Sequence, residues 1–318
     1  SIGMLMKNKY FLFIFFFLAF SLNAEELEEY CTTSLAGGNF HKTDCSINAT
    51  FDGKKYCFGN KDSKSIFLKD PKTTLSKATS FYNKNMSNTR NKISQKMANE
   101  LLEDPDCDLS NQDLGYLDFK GKDLTHCVMI NTSFFGSDLR GANLSGGNLQ
   151  RAYLNLARLE ETDFTGANLA AATIFQPIFG KTIFKAANLS NARLIGTLGN
   201  VDMSGAIIKQ GRLGLDVGNQ PMGQMKFDSS GGNFMKADFE GADLNIASFI
   251  FGDLREANLR NTNLNRAELV KADLRGADLT GADLTDADVD GADFEGVIGL
   301  SSVKGFSTVK GKCRNCGM

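Results

Sequence analysis

Histidine, proline and tryptophan are the scarce residues of this 318-residue chain, with two His, four Pro and no Trp. With only His41 and His126 available, His-rich metal sites and chemistry that needs several imidazoles are excluded. An excess of one charge is missing too. The chain carries 35 basic and 37 acidic residues, a formal net charge of -2, so bulk electrostatics give no reason to expect direct nucleic-acid binding. Gly-rich phosphate loops, GxSxG elbows and HExxH helices are absent, and neither histidine sits in a nucleophile-and-base arrangement. The expectation is a non-enzyme with no cofactor, no metal and no small-molecule substrate. A disordered chain is excluded by the 42% apolar content.

The N-terminal segment reads as an export signal. Lys7 and Lys9 precede an apolar run, Tyr10 to Phe20, followed by Ser21, Leu22, Asn23 and Ala24 and then by Glu25 and Glu26. The run is shorter than the roughly 20 residues that span a bilayer as a helix. Residues 1–24 are therefore expected to be a signal peptide cleaved after Ala24, and the mature chain to be periplasmic or secreted. All seven cysteines lie beyond that point, in a compartment that permits disulfides, and the odd number leaves at least one without an internal partner.

A five-residue repeat fills most of the rest. From Ala237 the chain reads ADFEG ADLNI ASFIF GDLRE ANLRN TNLNR AELVK ADLRG ADLTG ADLTD ADVDG ADFEG, and GNFMK joins the same frame before it. The central residue is apolar in thirteen units of thirteen here, and in eighteen of eighteen from Leu109 to Leu194. In an α-helix each unit advances about 500°, which smears the apolar row around the axis, and in a flat strand an odd period sends successive centres to opposite faces. A chain that turns a corner once per unit keeps every centre inside, which defines a solenoid. Ala two before the centre fits a narrow interior, Asp or Asn one before it can bond local backbone at a corner, and Gly276, Gly281, Gly291 and Gly296 end their units where backbone freedom helps a turn.

At these residues the chain resembles the pentapeptide-repeat family, whose unit is Ala, Asp or Asn, Leu and two variable residues. The resemblance implies an all-β fold, a right-handed quadrilateral β-helix with four units per coil. It would occupy residues 107–196 and, as a second and acidic block, 232–296. Gln112, Leu117 and Lys122 at small inward positions predict a frayed first coil. Residues 197–231 break the frame and are expected to be an irregular Gly-rich interruption, a loop on a continuous rod with damaged units around Met203, Ile208 and Leu213, or else the join of two rods. Solenoid ends need covers. Residues 73–106 place Leu75, Ala78, Tyr82, Met86, Ile93, Met97 and Leu101 at helical spacing, which predicts one amphipathic helix that caps the rod, dimerises or binds a partner. Residues 25–72 hold Cys31, Cys45 and Cys57 and suggest a small disulfide-stabilised β element. Cys45–Cys57 is the expected bridge. Four units per coil would also stack Cys107 on Cys127, and Cys313 and Cys316 form a tail disulfide or free thiols.

Charge singles out one end. The block 232–296 holds six basic and fourteen acidic residues, and none of the basic ones lies between Gly276 and Gly296. Asp286, Asp288, Asp290 and Glu295 are the candidate partner-binding residues. The basic tail, residues 297–318, carries Lys304, Lys310, Lys312 and Arg314, and either folds back over those carboxylates or leaves them to a basic protein surface. Two functions follow. One is an exported, non-catalytic scaffold that binds an unknown protein. The other, implied by the resemblance, is a DNA-mimicking inhibitor or protector of a nucleic-acid enzyme such as DNA gyrase, which the export signal opposes.

Overall fold

The structure, a computed structural model, describes residues 26–215 and 225–317. The signal segment 1–24 lies outside the described residues. From Asp108 onward the chain winds in coils whose sides pair in parallel every 20 residues: Asp108 with Val128, Asp113 with Ser133, Asp118 with Asp138, Asp123 with Asn143. Those four pairs begin the four sides, numbered here one to four. The central residues point inward, and Leu109, Leu114, Phe119 and Leu124 are wholly buried in the first coil, as are Leu274, Leu279, Leu284 and Val289 near the other end.

The corners follow from two local devices. The Asp or Asn before each centre accepts, through Oδ1, the N–H two residues on, as in Asp123 to Thr125 (2.9 Å), Asn143 to Ser145 (3.0 Å) and Asp243 to Asn245 (3.1 Å). The last residue of a unit takes left-handed backbone whether it is Gly276 (φ 70°) or a residue with a side chain, such as Arg151 (φ 58°) or Leu156 (φ 57°). The fold thus imposes the turn, and glycine only relieves it.

The first coil is not frayed. Leu109 N–H donates to Val128 O at 2.8 Å, and the coil is closed below by Ile93, Ala98, Leu101 and Leu102. That cover corrects the single helix expected over 73–106. The chain instead forms α3 (Pro71–Asn85), β3 (Asn91–Lys92) and α4 (Gln95–Leu102), and β3 pairs in parallel with β4 (Gln112–Asp113) to begin side two. Ser87, Asn88 and Thr89 interrupt the helix with their own turn, in which Thr89 N–H donates to Ser87 Oγ, and Ser94 caps the new helix through Met97 N–H.

Residues 26–85 pack beside the rod and are not all β. The hairpin β1 (Ile47–Phe51) and β2 (Lys54–Phe58) turns at Asp52 and Gly53, both left-handed, and is flanked by α1 (Thr32–Ala36) and α2 (Lys61–Lys69). Phe58 and Phe67 fill one small core, and Tyr30, Leu35, Phe40 and Ala78 fill another that also buries Ile130 of the rod. Phe40 N–H donates to Gln150 Oε1 at 2.7 Å and anchors this region to side one.

The units expected around Met203, Ile208 and Leu213 are coil. One residue is missing near Gly196, so Asp202 pairs with Ile183 at a spacing of 19, yet Met203, Ile208 and Leu213 remain wholly buried. The rod then continues without a break, since Asp202, Ile207 and Arg212 pair with Asn233, Asp238 and Asp243, each 31 residues on. The insertion is confined between Leu213 and Phe227. In the unit that follows, bulk is exchanged: Phe227 occupies the small inward position and Ser229 the centre, where its hydroxyl donates to Gly199 O at 2.8 Å.

Residues 297–317 fold back as a last coil, whose ladder residues are six, six and four residues apart. Ile298, Lys304, Lys310 and Arg314 pair with Asp278, Asp283, Asp288 and Asp293. Gly299, Gly305 and Gly311 turn its corners at φ 76°, 68° and 78°, and Val297, Val303, Phe306 and Val309 lie on the core below.

Candidate partner-binding site

Side four carries the stacked carboxylates Asp253, Asp273 and Asp293. Each is satisfied twice, first as a corner residue and then by a cation. Arg255 bonds Asp253 at 2.6 Å and reaches Asp273 at 3.7 Å, Arg275 bonds Asp273 at 2.6 Å, and Arg314 bonds Asp293 at 2.9 Å. The hydrogen bonds from Arg255 and Arg275 hold the Asp253 and Asp273 carboxyls below the usual carboxylate range. For Asp293 the Asn315 amide does most of this, with the Arg314 charge adding to it. This ladder is therefore largely neutralised.

The four candidate residues fare differently. Asp286, at the corner between sides two and three, is exposed, and its N–H donates to Thr308 Oγ1 at 2.9 Å. Asp288, half-buried on side three, accepts Asp290 N–H at 3.1 Å and has Lys310 as its ladder neighbour. Asp290 is exposed and accepts Lys312 N–H at 3.1 Å. Glu295 is exposed one side further on. The structure thus brings Asp286, Asp288 and Asp290 together and places Glu295 on the next side. Among the described residues none of the four makes an ion pair, although the last coil lays three lysines nearby.

Six of the cysteines are joined as Cys45–Cys57, Cys107–Cys127 and Cys313–Cys316, and Cys31 is free and buried. His126 stands beside the second pair, with ligand atoms of all three residues within 4.8 Å, but the sulfurs are spent in the disulfide and His126 Nε2 bonds Leu102 O at 3.0 Å. A site without any sequence signal lies elsewhere: a cleft between residues 26–92 and the rod, lined by Arg90, Arg151 and Arg212.

Parallel pairing at a 20-residue period around a filled interior defines the class, a four-sided β-helical repeat solenoid. A family model described as pentapeptide repeats matches in eight copies, over residues 106–141, 137–173, 230–261, 247–281 and 257–296. Residues 106–173 and 230–296 of the chain are thus pentapeptide repeats. No curated protein sequence matches it. Among solved structures it is similar to HetL, a pentapeptide-repeat protein involved in heterocyst differentiation regulation from the cyanobacterium Nostoc sp. strain PCC 7120, at 27% identity over 62% of this chain and 83% of that one, with a TM-score of 0.45. QnrB1, a plasmid-mediated fluoroquinolone resistance protein, is 21% identical over 65% of this chain and 90% of its own, with a TM-score of 0.25. A pentapeptide-repeat protein of the Arabidopsis thaliana thylakoid lumen is 23% identical over 38% of this chain and 71% of its own, with a TM-score of 0.22.

Proposed function

We propose that this protein is an exported, non-catalytic scaffold that holds a basic protein surface against the acidic end of its rod. The observation that carries the reading is the set of exposed carboxylates Asp286, Asp290 and Glu295, which have no ion-pair partner among the described residues although a basic coil lies beside them. They stand on hydrogen-bonded backbone, so docking has only their side chains to order. Three disulfides support an oxidising compartment, in line with the signal segment. DNA mimicry finds less support, since it needs an unpaired ladder of negative charge and the longest ladder here is paired with arginine.

The test is capture of proteins from the periplasmic or secreted fraction by the mature chain and by the triple variant Asp286→Asn, Asp290→Asn, Glu295→Gln. Asn at 290 keeps the acceptor that Lys312 N–H uses, so the variant removes charge and leaves the cap bonded. The expected result is unchanged melting with capture lost, and wild-type capture that weakens steeply as salt shortens the Debye length below about 8 to 10 Å. Capture by the variant equal to wild type would refute the acidic end as the docking face.

A further inference from the structure

The cleft beside the rod has a volume of about 540 Å³ and carries cations on both walls. The N-terminal region supplies Arg90 and Lys42, and the rod supplies Arg151 from a corner and Arg212 from side two. Among the described residues no carboxylate lines it. Lys42 is neutralised by Glu29 at 3.4 Å, which leaves the three arginines.

The Arg90 and Arg151 guanidiniums are held in place, and none of the three is neutralised among the described residues. Arg90 donates through Nε and Nη2 to Asn131 O (2.8 Å) and Oδ1 (3.0 Å) and lies 5.7 Å from the Tyr153 ring centroid. Arg151 lies 5.3 Å from the Phe40 centroid, and its buried Nε has no hydrogen-bond partner. Arg212 stands in ladder register between Arg193 and Asp243, whose Oδ1 is taken by Asn245 and Asn263. Among the described residues none of the three makes an ion pair. Burial, and then the charge of Arg151, push the Arg90 pKa down against the opposing pull of the Asp113 carboxylate, so like charges face each other in a half-buried space. Such repulsion between positioned cations is relieved by an anion. Guanidinium forks match oxyanions, and three unneutralised charges suit a polyvalent one better than a single carboxylate.

We propose that this cleft binds a small ligand bearing phosphate or sulfate groups, held by Arg90, Arg151 and Arg212. Its volume falls within the range of small-molecule sites and exceeds what one free oxyanion fills. The inference is independent of the acidic end, and it names a ligand class that the near-neutral composition gave no reason to expect.

The experiment is calorimetric titration of the mature chain at constant ionic strength with inorganic pyrophosphate and, separately, with a sulfated heparin disaccharide. Citrate serves as the carboxylate comparison. Saturable binding in one arm identifies that source, and binding in both assigns the shared oxyanion chemistry. Arg151→Gln and Arg212→Gln are each expected to weaken binding about tenfold or more, the effect of losing one charge-assisted bond. Arg212 projects from an outward ladder position, so that variant keeps the test valid if Arg151→Gln unfolds. The charge-removed variant at 286, 290 and 295 is expected to bind the anion as wild type does, which separates this proposal from the docking one. The proposal is overturned by no saturable binding in either arm, by wild-type affinity in both folded arginine variants, or by citrate binding as tightly as either probe.

Discussion

Leu274→Ala is the sharpest test of the inward assignment. Leu274 is wholly buried on side four, between Leu254 in the coil before it and Phe294 in the coil after, with Ala272 and Ala277 as small neighbours along the chain. Truncation removes three carbons, about 2.4 kcal/mol of transfer free energy at roughly 0.8 kcal/mol each. A cavity term adds to this to the extent that the site fails to collapse. Here collapse is obstructed from both sides. Leu274 N–H is tied to Asp293 O at 2.9 Å, and Leu254 N–H is tied to Asp273 O at 2.8 Å, so the stacked backbones cannot close on the void. The expected cost is about 3 to 5 kcal/mol, the upper part of the range for Leu→Ala in cores. The assay is urea unfolding followed by far-UV circular dichroism, with Lys185→Gln, an exposed change, expected to stay within about 0.5 kcal/mol. A loss under about 1 kcal/mol at Leu274 would refute the reasoning, because it would mean that neighbouring rows fill the space.

Two further outcomes are expected. Asp138 is hydrogen-bonded and ion-paired to Arg140, with Arg158 at 3.9 Å, and its carboxyl is held down at about 2. A carboxyl whose folded pKa lies below its unfolded value of about 3.9 contributes stability above that value and loses it as pH falls toward 2. Melting temperature should therefore drop between pH 5 and 2, less so in Arg140→Gln, and a flat profile in wild type would remove the linkage. Deleting residues 297–318 should expose the inner rows that Val297, Val303, Phe306 and Val309 cover, and light scattering should show association of the shortened chain, whereas a monomer of wild-type stability would show that the last coil is not a cap.

The rod was legible because its signal is local and repeated: a centre such as Leu274 and a small residue such as Ala272 recur at fixed offsets, and the interior then follows from geometry. The N-terminal helix was misread for the opposite reason. Ala78, Tyr82 and Met86 keep helical spacing with Ile93 and Met97, but the first three face Leu35 and Phe40 while Ile93 faces the first coil. One apolar period thus serves two cores, and spacing alone does not show where the partner changes. The last coil did leave a trace, since Val297, Val303 and Val309 each stand two residues before a glycine, a six-residue period that a five-residue frame passes over.

The basic cleft marks a deeper limit. Arg90, Arg151 and Arg212 are about sixty residues apart at each step and belong to three structural contexts: a link between helices, a corner and a ladder rung. Two facts bring them together, and neither is local. The missing residue near Gly196 sets Arg212 in register with Arg193, and the Phe40–Gln150 bond swings the N-terminal region over that same flank. Acidic residues come in a run here and so reveal themselves by composition, whereas the cations become a site only when a side region folds onto a rod. In a solenoid, whose own interior is filled, an appended region packed on one flank makes a cleft, and the chemistry that a rigid ladder cannot hold by itself collects where the two surfaces meet.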